Sequence, residues 1–208
     1  MSVRSVARLA DLRMAALGLL LAVLVAGPGT ANGFNILYEN GTPVKWGADA
    51  SWRIFSSFAG FGPEASQRAR EAISDWNGVS GWFDFDPETS SSSNGFMAGS
   101  LGAGTLAVEH WAKNGTTYTY WDVTVNTDIA NWWAGAGDPP QDRYDMKTVL
   151  RHELGHAAGL CHSQGSSALL MWFQIGQGER KSVDWDAQNG FRFLYDNGGT
   201  EPESQNCP

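Results

Sequence analysis

One stretch, His152-Glu153-Leu154-Gly155-His156-Ala157-Ala158-Gly159-Leu160-Cys161-His162-Ser163, sets three imidazoles and a carboxylate at intervals that dictate a local shape. On a helix, His152 and His156 are four residues apart and stand one above the other on one face, able to aim ring nitrogens at one point. Glu153 then falls beside that point. His162, six residues further on, cannot reach it if the helix continues. The chain must therefore turn back, and Gly159 is the residue that can do so at positive φ. Three neutral nitrogen ligands with a fourth position left open describe a catalytic zinc, whereas a structural zinc is closed by four protein ligands, usually including cysteines. The competing reading makes the histidines satisfied core residues of a buried helix. It loses ground because the chain has four histidines in all and three of them fall here.

At 208 residues the chain is long enough for one well-packed domain and short for two. Its beginning reads separately. Arg4, Arg8 and Arg13 precede an apolar run from Met14 to Val25, and small residues follow to Ala31, the layout of a secretory signal peptide. The apolar run falls short of the roughly 20 residues of a membrane span, and an uncleaved N-terminal anchor is the alternative. The expected organisation is a signal peptide over 1–31, a domain over 32–196 and a tail over 197–208. Cleavage falls after Ala31, or after Ala26 as the alternative. Residues 32–45 read as a polar lead too short for a folded pro-domain. The whole chain carries a formal charge of −8, and losing Arg4, Arg8, Arg13 and Asp11 makes the remainder more acidic still. An exported, acidic protein without clustered positive charge is not expected to bind nucleic acid or to stay on an anionic membrane; a monomer is expected.

Export permits a disulfide, and the two cysteines, Cys161 and Cys207, allow one pairing. It would tie the tail to the turn that carries His162. Two readings stand beside it: free thiols, and Cys207 as a thiolate ligand that blocks the metal.

Along the domain, Trp52 to Phe55 reads as a first strand. Gly62-Pro63 opens a helix in which Ala65, Ala69, Ala72, Ile73 and Trp76 recur at helical spacing. Trp82 to Phe85 alternates like a strand, and Thr89 to Gly104 reads as a Ser/Asn/Gly loop. Thr105 to Trp111 and Tyr118 to Asn126 are strands, with Asn114-Gly115 as the turn between them. Asp145 is placed to cap a helix from about Met146 to Leu160, and a last helix spans about Asp184 to Tyr195.

The extended pattern His-Glu-x-x-His-x-x-Gly-x-x-His is that of the metzincins, and with Gly155 and Ser163 the segment resembles the matrixins, the family of the matrix metalloproteinases and their bacterial relatives. The resemblance is strongest over 144–171. It implies an α+β fold: a single catalytic domain with a twisted, mostly parallel sheet, an antiparallel edge strand, an N-terminal helix, the zinc-binding active-site helix and a C-terminal helix. It further implies a turn under the metal at Met171, although one extra leucine precedes that methionine and no proline follows it. Gly190 to Tyr195 resembles the family's C-terminal helix, with Asp186 matching the first of its paired aspartates and Ala187 replacing the second. Gly104 to Ala107 resembles the edge strand along which peptide substrate lies, with Leu106 and Ala107 as its binding residues. The histidines of the family's structural zinc are replaced by Val108 and Thr124, so one catalytic zinc is expected. His110 is left as a surface or packing residue. Calcium ligands are offered by Asn126, Asp128, Asp138 and Asp142, without a complete oxygen cage. The family's propeptide cysteine motif has no counterpart.

The implied function is a secreted, zinc-dependent endopeptidase acting on protein or peptide substrates, with Glu153 as general base and a selectivity pocket walled by Trp172 and Phe173. The alternatives are a non-catalytic binding or surface protein on a metzincin scaffold, and a zinc hydrolase acting on a non-peptide bond.

Overall fold

The computed structural model describes residues 33–200 together with Pro202 and Cys207; the expected signal peptide lies outside them. In chain order the elements are β1 (Asn35–Ile36), β2 (Tyr38–Glu39), β3 (Thr42–Pro43), β4 (Arg53–Ile54), α1 (Ser56–Ala59), α2 (Pro63–Asn77), β5 (Gly95–Gly99) and β6 (Ala107–Asn114). They continue with β7 (Thr117–Asn126), β8 (Trp132–Trp133), β9 (Tyr144–Asp145), α3 (Met146–Ala157), β10 (Leu160–Cys161) and α4 (Trp185–Tyr195). The main sheet has the order β4-β5-β7-β6, with β4, β5 and β7 parallel and β6 antiparallel at the edge. That is the mixed α+β arrangement expected.

Helix α2 starts where its sequence says it should. Pro63 occupies the first turn, where its missing N–H costs nothing, and Ala65, Ala69, Ala72, Ile73 and Trp76 are the residues it buries. The small alanines let α2 lie close to α3, while Trp76 reaches across and donates its indole N–H to the Arg151 carbonyl at 2.9 Å. A second group of aromatic donors closes the far end of α3. Trp46 donates to the carbonyl of Ala157 and Tyr195 to that of Ala158, both at 2.8 Å, which satisfies carbonyls that a helix end leaves without intrahelical partners. Phe83 stacks on Tyr195 with centroids 4.7 Å apart, and Phe191 bridges from there to Trp76 at 5.7 Å. The three long helices are thereby fixed around one aromatic core.

Three expectations need correction. The stretch 89–104 is not all loop, because it contains β5, an inner strand of the sheet. A Cβ at Gly95 would sit 1.9 Å from the carbonyl oxygen of Arg53, so β4 and β5 approach so closely that only glycine fits, and the residue type that reads as loop is what the strand requires. Residues 82–85 form no strand. Phe83 and Phe85 are buried and Trp82 is exposed, as alternation implies, but the amides of Asp84 and Phe85 donate to the side chains of Asp49 and Asn77 rather than to a ladder. The lead at 32–45 belongs to the fold where it is described: Phe34, Ile36 and Val44 are core residues, β1 pairs with β10, and the amide of Gly33 donates to buried Asp186.

Candidate metal centre

Helix α3 is fixed at both ends. At its start Asp145 accepts from the amide and hydroxyl of Thr148 at 3.1 and 2.7 Å, and Arg180 grips the same carboxylate. At its end Ala158 closes the helix and Gly159, at φ +100°, reverses the chain. A Cβ at Gly159 would meet Leu194, Tyr118 and the Val44 carbonyl, each at 3.2 Å. The helix therefore stops three residues short of the Leu160 expected from the pattern, and β10 carries the chain back. Asn35 then holds the carbonyl of His162 at 2.8 Å.

These constraints bring His152, His156 and His162 together. The ligand atoms of the three lie within 4.8 Å of one another. The Nδ1 of His152 is 2.8 Å from the Leu170 carbonyl and that of His156 is 2.7 Å from the Leu160 carbonyl. A carbonyl only accepts, so each Nδ1 carries the proton and each neutral ring turns an unprotonated Nε2 inward. The Nε2 of His156 lies 3.1 Å from that of His152 and 3.2 Å from that of His162. Lone pairs facing each other at that range repel unless a cation lies between them. Nitrogens about 2.0–2.1 Å from a common tetrahedral zinc stand about 3.3 Å apart, so this donor set fits zinc. Burial keeps the rings neutral as ligands must be. It depresses His152 to about 3, helped by His162 and the Lys181 ammonium, takes His156 well below the usual histidine value, and lowers His162 to about 4.

Glu153 is fully buried beside this group, and neither of its oxygens makes a hydrogen bond of ordinary geometry. Burial pushes its carboxyl up to about 8, opposed by a weaker pull from the backbone amide of Glu109. That amide locates the sheet edge relative to the site. The amide of Asn126 donates to the Leu106 carbonyl at 2.9 Å, so by the alternation of an antiparallel ladder Ala107, Glu109 and Trp111 direct their backbone groups away from β7. Of the two edge residues expected, Ala107 turns its backbone groups away from β7 and Leu106 gives its carbonyl to β7, and both are fully buried.

Met171 is fully buried against Gly155. Its carbonyl accepts from the Ser163 amide at 2.9 Å, which fixes the residue after His162. Beyond it opens a cleft of about 480 Å³ lined by His162, Ser163, Gln164, Trp172 and Phe173. Cys161 and Cys207 are joined, their Cα atoms 5.1 Å apart. His110 stands apart from the other three histidines and bonds Asp122 at 3.1 Å. The calcium expectation gains no support. Asn126 spends its amide on Gly102, Thr105, Leu101 and Asp128, and Asp128 accepts from Ser100 and Gly102, all to hold the β5–β6 loop.

Two residues near the site escape a motif search. Glu109 is fully buried with both oxygens lacking hydrogen-bond partners, and burial, then Glu153 and Asp122, raise its carboxyl well above the usual range. A glutamate at an inward position between Ala107 and Trp111 is the signal that could have marked it. Lys181, whose side chain is 8% exposed, carries no such signal.

No curated protein matches the chain. The matrixin family model matches residues 45–196, a span that takes in the sheet, α2, the three histidines and α4, and the chain belongs to that family.

Proposed function

We propose that this matrixin is a secreted zinc endopeptidase in which His152, His156 and His162 hold the metal and Glu153 is the general base. The observation that carries the reading is the convergence of three Nε2 atoms, those of His152 and His156 held unprotonated by carbonyls at Nδ1, beside a buried carboxyl that makes no ordinary hydrogen bond. Bound zinc supplies Lewis-acid chemistry, acidifying water and polarising a carbonyl oxygen. The carbonyls of Leu160 and Leu170 keep the two helical imidazoles in the ligating tautomer. Glu153 takes a proton from the attacking water and returns it to the leaving amine, which requires no side-chain nucleophile. An extended peptide would add to edge strand β6 through backbone hydrogen bonds, a mode of binding that is largely indifferent to sequence. Selectivity then falls to the cleft beside His162, whose Trp172 and Phe173 walls suit a large apolar side chain. Export rests on the first 31 residues and is consistent with the Cys161–Cys207 bond.

The test is digestion of a diverse peptide pool by the chain from residue 32 onward, with and without a chelator. Cleavage that the chelator abolishes and zinc restores, with large apolar residues enriched after the cut, is the expected result. A zinc-loaded protein that cleaves nothing would leave a binding protein on a peptidase scaffold.

A further inference from the structure

The wall of the selectivity cleft belongs to an irregular loop, 163–175, that lacks a ladder to hold it. Its local ties are the Ser163 amide to Met171, the Leu169 amide and Ala168 amide to Ser166, the Trp172 amide to Leu169, the Leu170 amide to the Asp184 carboxylate and His152 to the Leu170 carbonyl. One side chain reaches across it. The Lys181 ammonium donates to the carbonyls of Ser167 at 2.8 Å, Leu169 at 3.3 Å and Gln174 at 3.5 Å, with Glu179 beside it at 3.4 Å. Those carbonyls flank Met171, Trp172 and Phe173 on both sides. The backbone of Lys181 is itself fastened to α3: its amide donates to the Thr148 hydroxyl at 2.9 Å and its carbonyl accepts from Arg151 at 2.5 Å.

We infer that Lys181 is a positioning residue for substrate selectivity, which clamps the loop bearing Trp172 and Phe173 to the helix that carries His152 and His156. The inference rests on the peptidase reading for its consequence, though not for the clamp itself. Charged donors to carbonyls are stronger than neutral ones, and of the three acceptors only the Leu169 carbonyl also takes a backbone amide, that of Trp172. Phe173 is 39% exposed and its ring lies 6.5 Å from that of His162, so packing holds this wall only weakly. Lys181 does not line the substrate cleft, and its effect passes through the loop.

Lys181→Met fills similar volume without donors, and Lys181→Gln keeps two donors without charge. The comparison is between two peptides that differ only after the cut, one with phenylalanine and one with alanine. In Lys181→Met the phenylalanine-to-alanine ratio of kcat/KM should fall about tenfold, the lower end of what one methylene is worth in an apolar pocket, mainly through KM. The zinc content should hold, and amides 167–174 should exchange hydrogen faster than in the wild type while those of α2 do not. Lys181→Gln should fall between the two, and it carries the test if the methionine variant fails to fold. An unchanged ratio in a folded variant, whether or not overall turnover drops, would overturn the inference. If the wild type cleaves neither peptide the peptidase reading fails instead, and hydrogen exchange of 167–174 still decides whether Lys181 is the clamp.

Discussion

A Cβ on Gly155 would stand 2.4 Å from the sulfur of Met171 and 2.9 Å from its terminal methyl. The helix backbone between the two helical histidines and the methionine beneath them are therefore in direct contact. Glycine in a helix costs roughly 1 kcal/mol relative to alanine, while overpacking a filled core costs about 1–3 kcal/mol. Gly155→Ala should thus destabilise the wild type, and its cost should shrink in a Met171→Ala background, where only the Trp76 ring, 3.1 Å from that Cβ, must still give way. Urea unfolding of the two single variants and the double variant measures the coupling. A glycine-to-alanine cost of the same size in both backgrounds would mean that Met171 does not set the requirement at position 155.

Metal uptake should release a proton from a carboxyl group rather than from imidazole. The three histidines are already neutral well below pH 7, whereas burial holds metal-free Glu153 near 8, so most of it is protonated at neutral pH. A dication at the histidines favours the ionised carboxylate. Zinc binding at pH 7 should then release roughly one proton from this carboxyl, that release fading above pH 9, and Glu153→Gln should release correspondingly less. Calorimetry in buffers of different ionisation enthalpy reads this directly. Equal release from the two proteins would separate Glu153 from the metal site.

Glu109 should be a cost to the fold. A fully buried carboxyl without hydrogen bonds, whose electrostatic neighbours Glu153 and Asp122 are both acidic, is one for which an apolar replacement stabilises by about 1–4 kcal/mol. The folded state holds Glu109 protonated above its ordinary range, so it binds more protons than the unfolded chain and stability falls as pH rises from about 4.5. Glu109→Leu should remove that contribution, which makes the variant's advantage larger at pH 8 than at pH 5. Denaturant titrations at both values test it, and a variant less stable than the wild type at both would show that the carboxyl is satisfied in solution.

The metal centre was more legible than the sheet around it, and the reason is range. His152 and His156 are placed by helix pitch, His162 by the turn at Gly159, and Asp145 by the amide it caps, all within one short segment. Helix α2 was readable because its buried alanines recur in its own sequence. Strand β5 was not, because what makes Gly95 a strand residue is the backbone of Arg53, far away in sequence. Residues 82–85 misled for the converse reason: their alternation is real, but distant Asp49 and Asn77 supply the hydrogen bonds. Lys181 gave no sign at all, since its acceptors are carbonyls and a carbonyl leaves no mark in a sequence.

The disulfide should matter to His162 more than to the helical histidines. Cys161 is buried on β10 directly before that ligand, and its bond to Cys207 spans 46 residues, a closure worth about 4 kcal/mol in the chain-entropy model. Cys207→Ser should lower the stability of the metal-free protein by about that amount, and less once zinc is bound, because the metal ties His162 to α3 by a second route. It should also speed zinc loss, since β10 then relies on its short pairing with Asn35 and Ile36. Denaturant unfolding with and without zinc, together with the rate of zinc transfer to a chromogenic chelator, distinguishes these effects. Equal stability losses in the metal-free and zinc-loaded proteins, with an unchanged transfer rate, would show that the tail is tied to the domain but not to the site.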